Sequence, residues 1–526
     1  MSHRAFILTT LMLACLLALG AQVAIDFSTA NLASASLVVA SSLAVLLYLQ
    51  WTPALHTHPL SAFALLGFCV TTQMGALLGQ TLYGASLAAH LRQPIETFAT
   101  LAFFQAVALV AHLLYRWVVH PVGEHLADRE PSLPRQLLQR LGLYEVPTTS
   151  TLWFMGYVGL MAFVLGAGRE STFGKVMQGL SFLTWAPFLI PMYLLQWGER
   201  YGQARRLYPH LLFFAGLVVL LGLAANARGI MLSGFVTIGL FALLNALRSE
   251  RPVQARQVFR LLGWGAVLAA LAVPVSELAT AMVVARKDRG YISAPQMVRE
   301  TFRHLSDPAA LQAERERVRK EALGKYDEFY FANPLLARLV ETKFHDNALY
   351  YAGTLSQSDK AQLADTSIDL LWATLPDPVL KALKVNVDKR DLDFSMGDYL
   401  AHLSQGGPLG SRRTGSMFAQ GWALMGVGFV AFYLVACLVM FSVLDLLTAR
   451  SWSGAASLSA VAMLAVWKVF QYGMAAESLS SWLSLVVRTL PQNAVLFLLM
   501  LFIARATAVV LGRQRRAMAD ETPALN

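Results

Sequence analysis

The chain has 526 residues, a formal net charge of +10 and only three cysteines. Hydrophobic residues make up 56% of it and charged residues 14%, and its mean hydropathy is +0.51. Because soluble domains carry roughly 25% charged residues, this composition excludes an ordinary soluble protein. The three cysteines all fall in apolar stretches, so no disulfide framework is expected for a domain outside the membrane.

Apolar stretches separated by short polar turns follow one another along most of the chain. A helix needs about 20 predominantly apolar residues to cross the hydrocarbon core of a bilayer. By this criterion we predict twelve spans, at 5–24, 31–50, 60–84, 98–119, 150–167, 174–196, 210–225, 229–247, 259–283, 418–446, 454–473 and 490–511. The predicted fold class is therefore an all-α polytopic membrane protein.

A long polar segment interrupts this pattern after the ninth predicted span. It is the main domain boundary of the chain and divides it into four predicted parts. These are membrane helices 1–9 in residues 1–283, a loop domain in 284–416, membrane helices 10–12 in 417–513 and a tail in 514–526. Of the 42 lysines and arginines, 19 lie between Arg286 and Arg413, so the basic excess is concentrated in the loop.

Lysine and arginine counts in the short turns predict the orientation of the chain. The turns on the side of the N-terminus hold 17 of these residues, and those on the other side hold five. The positive-inside rule therefore predicts that both termini are cytoplasmic and that the long loop is outside, in the periplasm. The basic charge of the long loop does not contradict this orientation, because the rule does not apply to long translocated loops. The stretch 5–24 is long for a secretory signal and is predicted to stay as the first span, although its cleavage would leave the other spans unchanged.

The loop is predicted to be folded and mainly helical. Asp307 and Pro308 form a typical helix start, and another helix is predicted to start at Pro376–Pro378. The loop ends in the glycine-rich stretch 406–416, which contains Arg412 and Arg413. Such a backbone beside two guanidinium groups can bind a phosphate, and the alternative is a flexible hinge with charges that face the membrane.

Other charged residues of the outside turns are candidates for chemistry. Arg228 lies in a tight turn between two spans, where it could stabilise a negative charge or anchor a helix end. His345 and Asp346 are adjacent and could transfer a proton, although neighbours on a helix do not face each other. Asp391 and Asp393 resemble a metal-binding carboxylate pair, but a helix cap or chance explains them better, and we predict no metal site.

The sequence resembles the Wzy-like polymerases, which join lipid-linked repeat units of O-antigens or exopolysaccharides. The resemblance covers most of the chain, including the many spans and the large loop before the last three. It is carried by four loose motifs, at 226–229, 344–351, 394–416 and 426–428. It implies a metal-independent glycosyltransferase of the multi-span type that works without a cofactor at the outer face of a bacterial inner membrane, where lipopolysaccharide and exopolysaccharide are assembled.

The resemblance also implies a substrate and a division of labour among residues. The enzyme would move a growing glycan from undecaprenyl diphosphate onto a new lipid-linked repeat unit. We expect the leaving diphosphate to be bound by basic residues, namely Arg228, Arg412, Arg413, Arg286 and Arg289. We expect the catalytic base among four residues that we cannot rank, namely Glu477, Asp398, His345 and Asp346. The expected partners are membrane lipid, a chain-length regulator and a flippase, with no nucleic acid.

Two other functions are compatible with the sequence. An O-antigen ligase shares this layout but transfers the finished glycan to the lipid A core. A lipid-linked oligosaccharide flippase or another transporter would usually show inverted repeats and charges near the middle of the membrane. The sequence shows no such repeat, and Lys468 is the main charge inside a predicted span. A purely structural protein of an envelope assembly is a further alternative.

Overall fold

Helices provide nearly all the regular structure in this computed structural model. The structure describes residues 1–119, 132–166, 172–197, 206–254, 256, 263, 273–285, 292–321, 330–331, 339–375, 377–450 and 456–520. The helices of the first half are α1 (His3–Ile25), α2 (Thr29–Trp51), α3 (Pro59–Leu82), α4 (Pro94–Val118), α5 (Leu133–Arg140), α6 (Thr149–Gly166), α7 (Thr172–Leu180), α8 (Leu189–Trp197), α9 (Tyr208–Ala224), α10 (Arg228–Leu247) and α11 (Val273–Ala285).

The second half begins with the helices of the long loop and ends with further membrane helices. The loop holds α12 (Ala294–Leu305), α13 (Pro308–Glu321), α14 (Thr342–Gly353), α15 (Gln357–Ala373), α16 (Asp377–Ala382) and α17 (Met396–Gln405). After it come α18 (Met417–Met425), α19 (Gly428–Leu446), the antiparallel strands β1 (Thr448–Arg450) and β2 (Ala456–Leu458), α20 (Ala460–Tyr472) and α21 (Leu479–Val510, which continues as helix to Asp520).

Within the described residues, eight helices are long and apolar enough to cross a membrane, so the chain is an all-α polytopic membrane protein. They are α1, α2, α3, α4, α6, α10, α19 and α21, and each overlaps a predicted span. The predicted span 418–446 is broken at Gly426, whose φ is +53°, into α18 and α19, and α21 begins before the predicted 490–511. The described parts of α9, α11 and α20 are apolar but shorter. The sixth predicted span consists of α7, a 3₁₀ segment at Ser181–Phe188 and α8. The total of twelve spans stays a prediction.

The long loop folds into a helical cap on one end of the membrane helices. As predicted, a helix starts at Pro308, and the Asp307 side chain accepts a hydrogen bond from the Ala310 N–H at 3.1 Å. Another starts at Asp377, also as predicted. Helix α14 packs against α4, α17 and α18, so its side chains lie between the cap and the membrane helices. The division of the chain into four parts is not tested further and stays a prediction.

An irregular turn in α3 provides part of the surface on which the cap rests. The segment Val70–Met74 is a π-helical turn, in which the Gly75 N–H bonds to the Val70 carbonyl instead of the Thr71 carbonyl. The Thr71 carbonyl instead accepts the Glu341 N–H at 2.8 Å, and the Thr72 carbonyl accepts the Thr342 hydroxyl at 2.6 Å. The irregular turn thus offers α3 carbonyl groups to the start of α14, as π-turns often do at functional sites.

The opposite end of the same helices is held together by a buried polar cluster. The Asp445 carboxylate on α19 accepts a hydrogen bond from the Tyr115 hydroxyl at 3.2 Å, and His58 Nε2 lies 3.5 Å from the same oxygen. Nearby, His112 Nδ1 lies 2.6 Å from the Tyr48 hydroxyl. Because buried polar groups are costly unless they are paired, these contacts fix the ends of α2, α3, α4 and α19. The three cysteines are buried and free, as expected.

Candidate functional site

A narrow cleft lies where the cap meets the membrane helices. Three segments that are distant in sequence line it, and they contribute Glu341, Phe344, His345, Thr414, Gly415, Ala475, Ala476 and Glu477. The space between them, including the open mouth, is about 160 Å³. Pockets that enclose a drug-sized ligand measure roughly 300 Å³ or more. The cleft is therefore too narrow in this structure to enclose a saccharide chain.

His345 is a buried titratable group of this cleft. Its side chain is almost completely shielded from solvent, and its Nδ1 lies 2.8 Å from the Ser416 hydroxyl. Its Nε2 is buried and has no hydrogen-bond partner among the described residues. Burial lowers the pKa of His345 to about 3, because the charged imidazolium would lose its hydration. The imidazole is therefore neutral at neutral pH, and one of its nitrogens is left for a bound group.

Glu341 contributes a carboxylate that sequence reasoning missed. It lies immediately before α14 and is 4% exposed. Its carboxylate accepts a hydrogen bond from the Gln471 side chain at 2.8 Å, and Gln471 in turn accepts one from the Trp467 indole at 2.7 Å. The two partners are on α20, so this chain of hydrogen bonds positions a carboxylate in the cleft from the membrane side.

Glu477 lies at the mouth of the cleft, on the turn that follows α20, and its side chain is exposed. The backbone of this turn packs directly against Gly415. A Cβ atom at position 415 would lie 2.6 Å from the Glu477 carbonyl oxygen and 2.9 Å from the Gly397 nitrogen. Only glycine allows this approach, so Gly415 brings the end of the glycine-rich stretch next to Glu477.

Asp398, another predicted catalytic candidate, is fully buried and holds the glycine-rich stretch in place. Its carboxylate accepts the backbone N–H groups of Arg412 and Arg413, at 2.7 and 3.1 Å. Asp398 is also in the first turn of α17, where a carboxylate is favoured by the helix dipole. Since both oxygens already accept backbone N–H groups, the geometry favours a positioning role over that of a base.

The guanidinium of Arg412 points to Asp393. Two hydrogen bonds of 2.9 Å join its Nη2 to the two carboxylate oxygens, and both side chains are largely exposed. Arg412 also has a backbone φ of +60°, a conformation that is uncommon for a residue with a side chain. Asp393, which together with Asp391 resembles a metal-binding carboxylate pair in the sequence, thus pairs with Arg412.

Asp346 faces away from His345, as expected for adjacent helical residues. It is fully buried, and its carboxylate accepts the backbone N–H groups of Arg92 and Gln93, at 2.8 and 3.0 Å, and the Thr97 hydroxyl at 3.1 Å. The Lys343 ammonium lies 3.4 Å away. These contacts dock α14 onto the start of α4, so Asp346 also serves the structure in this geometry.

Replacing Asp346 with alanine is expected to loosen the cap. The change removes the acceptor of two backbone N–H groups and leaves Lys343 buried without its carboxylate, which typically costs about 3–5 kcal/mol. Hydrogen–deuterium exchange should become faster across α14 and in residues 90–97, with little change in α19. Asp365→Ala, at an exposed position of α15, is the control. Unchanged exchange in α14 would show that Asp346 does not dock the cap.

A cluster of arginine and tyrosine side chains lies on the Asp346 side of α14. The Arg92 guanidinium stacks on the rings of Tyr350 and Tyr351, at 4.5 and 5.3 Å from their centroids. Burial raises the pKa of Tyr351, and the positive charges of Arg92 and Arg413 oppose this effect. Guanidinium groups of this kind are well suited to bind phosphate oxygens.

Arg228, another predicted diphosphate ligand, is the first residue of α10, and none of the described residues that line the cleft comes from its turn. The neighbouring Asn226 instead donates a hydrogen bond to the Met282 carbonyl at 3.0 Å and ties this turn to α11. Arg286 and Arg289 lie outside the described residues. The assignment of Arg228, Arg286 and Arg289 as diphosphate ligands stays a prediction.

The structure thus brings two predicted catalytic candidates, His345 and Glu477, into one cleft, adds Glu341 to it, and places Arg92 on the other side of α14. The sequence does contain a signal for each added residue. Glu341 is the acidic residue just before the 344–351 motif, and Arg92 is one of only five basic residues in the outside short turns. Neither signal alone indicates a site.

No protein-family model, no curated protein and no solved structure matches this chain.

Proposed function

We propose that this protein is a membrane-embedded, metal-independent glycosyltransferase that polymerises undecaprenyl-diphosphate-linked repeat units of an O-antigen or exopolysaccharide. It would act at the periplasmic face of the bacterial inner membrane, with both termini in the cytoplasm. The observation that carries the proposal is the cleft in which His345 and Glu341, at the start of α14, meet Glu477, on the turn after α20. The Arg92 guanidinium, stacked on Tyr350 and Tyr351 of α14, flanks the other side of the same helix, and the positive charge of Arg413 also acts on Tyr351.

The proposed reaction needs a proton acceptor and a site for a leaving diphosphate. The hydroxyl oxygen of the acceptor sugar attacks the anomeric carbon of the growing glycan, and the bond from that carbon to the diphosphate oxygen breaks. We assign the acceptor proton to His345 Nε2, which is the free acceptor when Nδ1–H donates to Ser416. An anionic diphosphate nearby favours the imidazolium and so counteracts the lowering of its pKa by burial.

The other residues of the site take supporting roles in this proposal. Glu341 and Glu477 stabilise the imidazolium or orient the acceptor hydroxyl. Arg92 and Arg413 stabilise the negative charge on the departing diphosphate, an effect that grows in the transition state. Asp398 and Asp346 hold the segments that carry these groups. Arg412 and Arg228 remain candidates for contacts with a longer substrate.

The proposal is tested with purified protein in lipid nanodiscs and a synthetic undecaprenyl-diphosphate-linked repeat unit. A ladder of products that differ by one repeat unit is expected without added metal and in the presence of a chelator. Transfer only to added lipid A core would support a ligase instead. Movement of the substrate across proteoliposomes without any new glycosidic bond would support a flippase, and either result would overturn the polymerase.

A further inference from the structure

The cap exposes a group of large apolar side chains where α15 and α16 meet. They are Ile368 and Trp372 on α15, and Val379 and Leu383 on and just after α16, with exposed fractions of 52, 37, 40 and 54%. Ile368 and Trp372 are four residues apart, so they lie on the same face of α15. We call these four residues the α15–α16 corner. Apolar side chains grouped in this way indicate an interaction surface.

The α15–α16 corner lies at the level of the membrane helices. Between its two halves, the Thr374 carbonyl accepts a hydrogen bond from Arg488 on α21 at 3.2 Å. The Asp377 carboxylate pairs with Lys175 on α7 at 3.1 Å. Since α21 is a candidate membrane span and its Val487 is 56% exposed, the apolar surface of the corner continues the outer surface of that span.

The exposed face of α15 is polar in its first part and gains large apolar side chains in its last part. Ser358 and Asp365 are exposed in its first part, and the large apolar Ile368 and Trp372 are exposed in its last part, beside Asp369. The polar end is therefore distant from the contact with Arg488, and the apolar end is next to it. A helix end that turns apolar near the membrane and carries a tryptophan is typical of insertion into the interfacial layer.

Positive charge accompanies these apolar side chains. Lys381 and Lys384 are exposed beside Val379 and Leu383. Asp377, the acidic residue of α16, is paired with Lys175 and also with Lys389, at 2.7 Å. The two ammonium groups lower the pKa of Asp377 to about 2, so this residue stays ionised and paired. The charge next to the corner is thus suited to anionic lipid headgroups.

We propose that the α15–α16 corner rests in the interfacial layer of the bilayer leaflet on the loop side. Its four apolar side chains lie at the boundary of the acyl chains, and Lys381 and Lys384 contact lipid phosphates. This contact holds the cap against the membrane surface. The inference does not depend on the proposed glycosyl transfer, because it rests only on the exposed face and its contacts with α7 and α21.

The test uses probes at single cysteines. Trp372→Cys and Leu383→Cys are labelled with an environment-sensitive nitrobenzoxadiazole dye, in nanodiscs that hold one protein each and contain nitroxide-labelled phosphatidylcholine. Ser358→Cys is the matched control, since it lies on the same helix about 21 Å away at 1.5 Å per residue. The three native cysteines are buried, and the unsubstituted protein measures any background labelling. Ile368→Cys replaces Trp372→Cys if that variant unfolds.

The expected result is a blue-shifted emission and a several-fold stronger quenching at positions 372 and 383 than at 358. Lys381→Gln combined with Lys384→Gln should weaken the quenching at 383 in discs that contain phosphatidylglycerol. Equal quenching at all three positions would overturn the lipid contact. Probes that are shielded from solvent in native membranes but exposed in nanodiscs would also overturn the lipid contact, since this outcome indicates a protein partner. No response to the lysine changes would overturn the proposed phosphate contacts.

Discussion

Replacing His345 with alanine is expected to slow formation of the product ladder by about 10²- to 10⁴-fold, the usual contribution of a positioned proton acceptor. The reason is that Nε2 is the buried nitrogen of the cleft that has no hydrogen-bond partner among the described residues. Initial rates at saturating substrate measure this effect. His402→Ala is the matched control, because His402 is an exposed histidine of the same cap whose Nδ1 lies 2.9 Å from the Gly407 carbonyl.

A second substitution separates catalysis by His345 from a structural role. Asparagine at 345 can still reach the Ser416 hydroxyl in place of Nδ1 but has no group in the position of Nε2. If the residue only supports the structure, His345→Asn should restore most of the activity that alanine removes. If Nε2 accepts the proton, the asparagine variant should remain as slow as the alanine variant while it unfolds at a temperature close to that of the wild type.

Acidification provides an independent check on the same residue. The pKa of His345 is about 3 in the folded protein, compared with 6.5 for an ordinary histidine. The unfolded chain therefore binds more protons below pH 6.5, and the contribution of this residue to stability falls as the pH drops from about 6.5 towards 3. The His345→Asn variant should lose less stability than the wild type over this range, as thermal unfolding at several pH values can measure.

The sequence predicts the membrane helices well because their signal is local. A run of about 20 apolar residues is sufficient to recognise a span, and eight spans appear where they were expected. The sixth predicted span is different. Pro187 lies in the 3₁₀ segment Ser181–Phe188, so this stretch is not one continuous α-helix. Apolar composition alone does not reveal this break in the α-helix. Pro187 is the residue in the sequence that could have predicted it.

The functional site is less predictable because the role of a carboxylate depends on which hydrogen-bond donors surround it in the folded chain. Asp346 and Asp398 look like Glu477 in the sequence, as acidic residues near glycine, arginine or histidine. In the folded chain, Asp346 accepts the backbone N–H group of Arg92, which is far away in the sequence, and Asp398 accepts that of Arg412 across a loop. Glu477, in contrast, lies at an open cleft. Glu341 likewise becomes a site residue only through Gln471, 130 positions away.

Removal of both guanidinium groups of the arginine–tyrosine cluster is expected to reduce kcat/KM for the lipid-linked repeat unit by about 10²- to 10³-fold, comparable to the loss of a donor at an oxyanion site. The change is Arg92→Gln combined with Arg413→Gln. Both positive charges act on Tyr351, so both would attract a diphosphate bound beside this residue. The steady-state rate as a function of substrate concentration separates a loss of binding, seen in KM, from a loss of transition-state stabilisation, seen in kcat.

Arg412 and Arg413 make this prediction specific, because they are adjacent in sequence but differ in their surroundings. The Arg412 guanidinium forms an exposed pair with Asp393, and such pairs contribute about 0–1 kcal/mol. Arg412→Gln should therefore have a small effect on the rate, whereas Arg413→Gln should have a large one. Lysine at 413 should recover only part of the activity, because an ammonium cannot bind two phosphate oxygens as a planar guanidinium does. Equal effects at both positions would contradict a specific role of Arg413, and a larger effect of Arg412→Gln would place the diphosphate on the Arg412 side of the glycine-rich stretch.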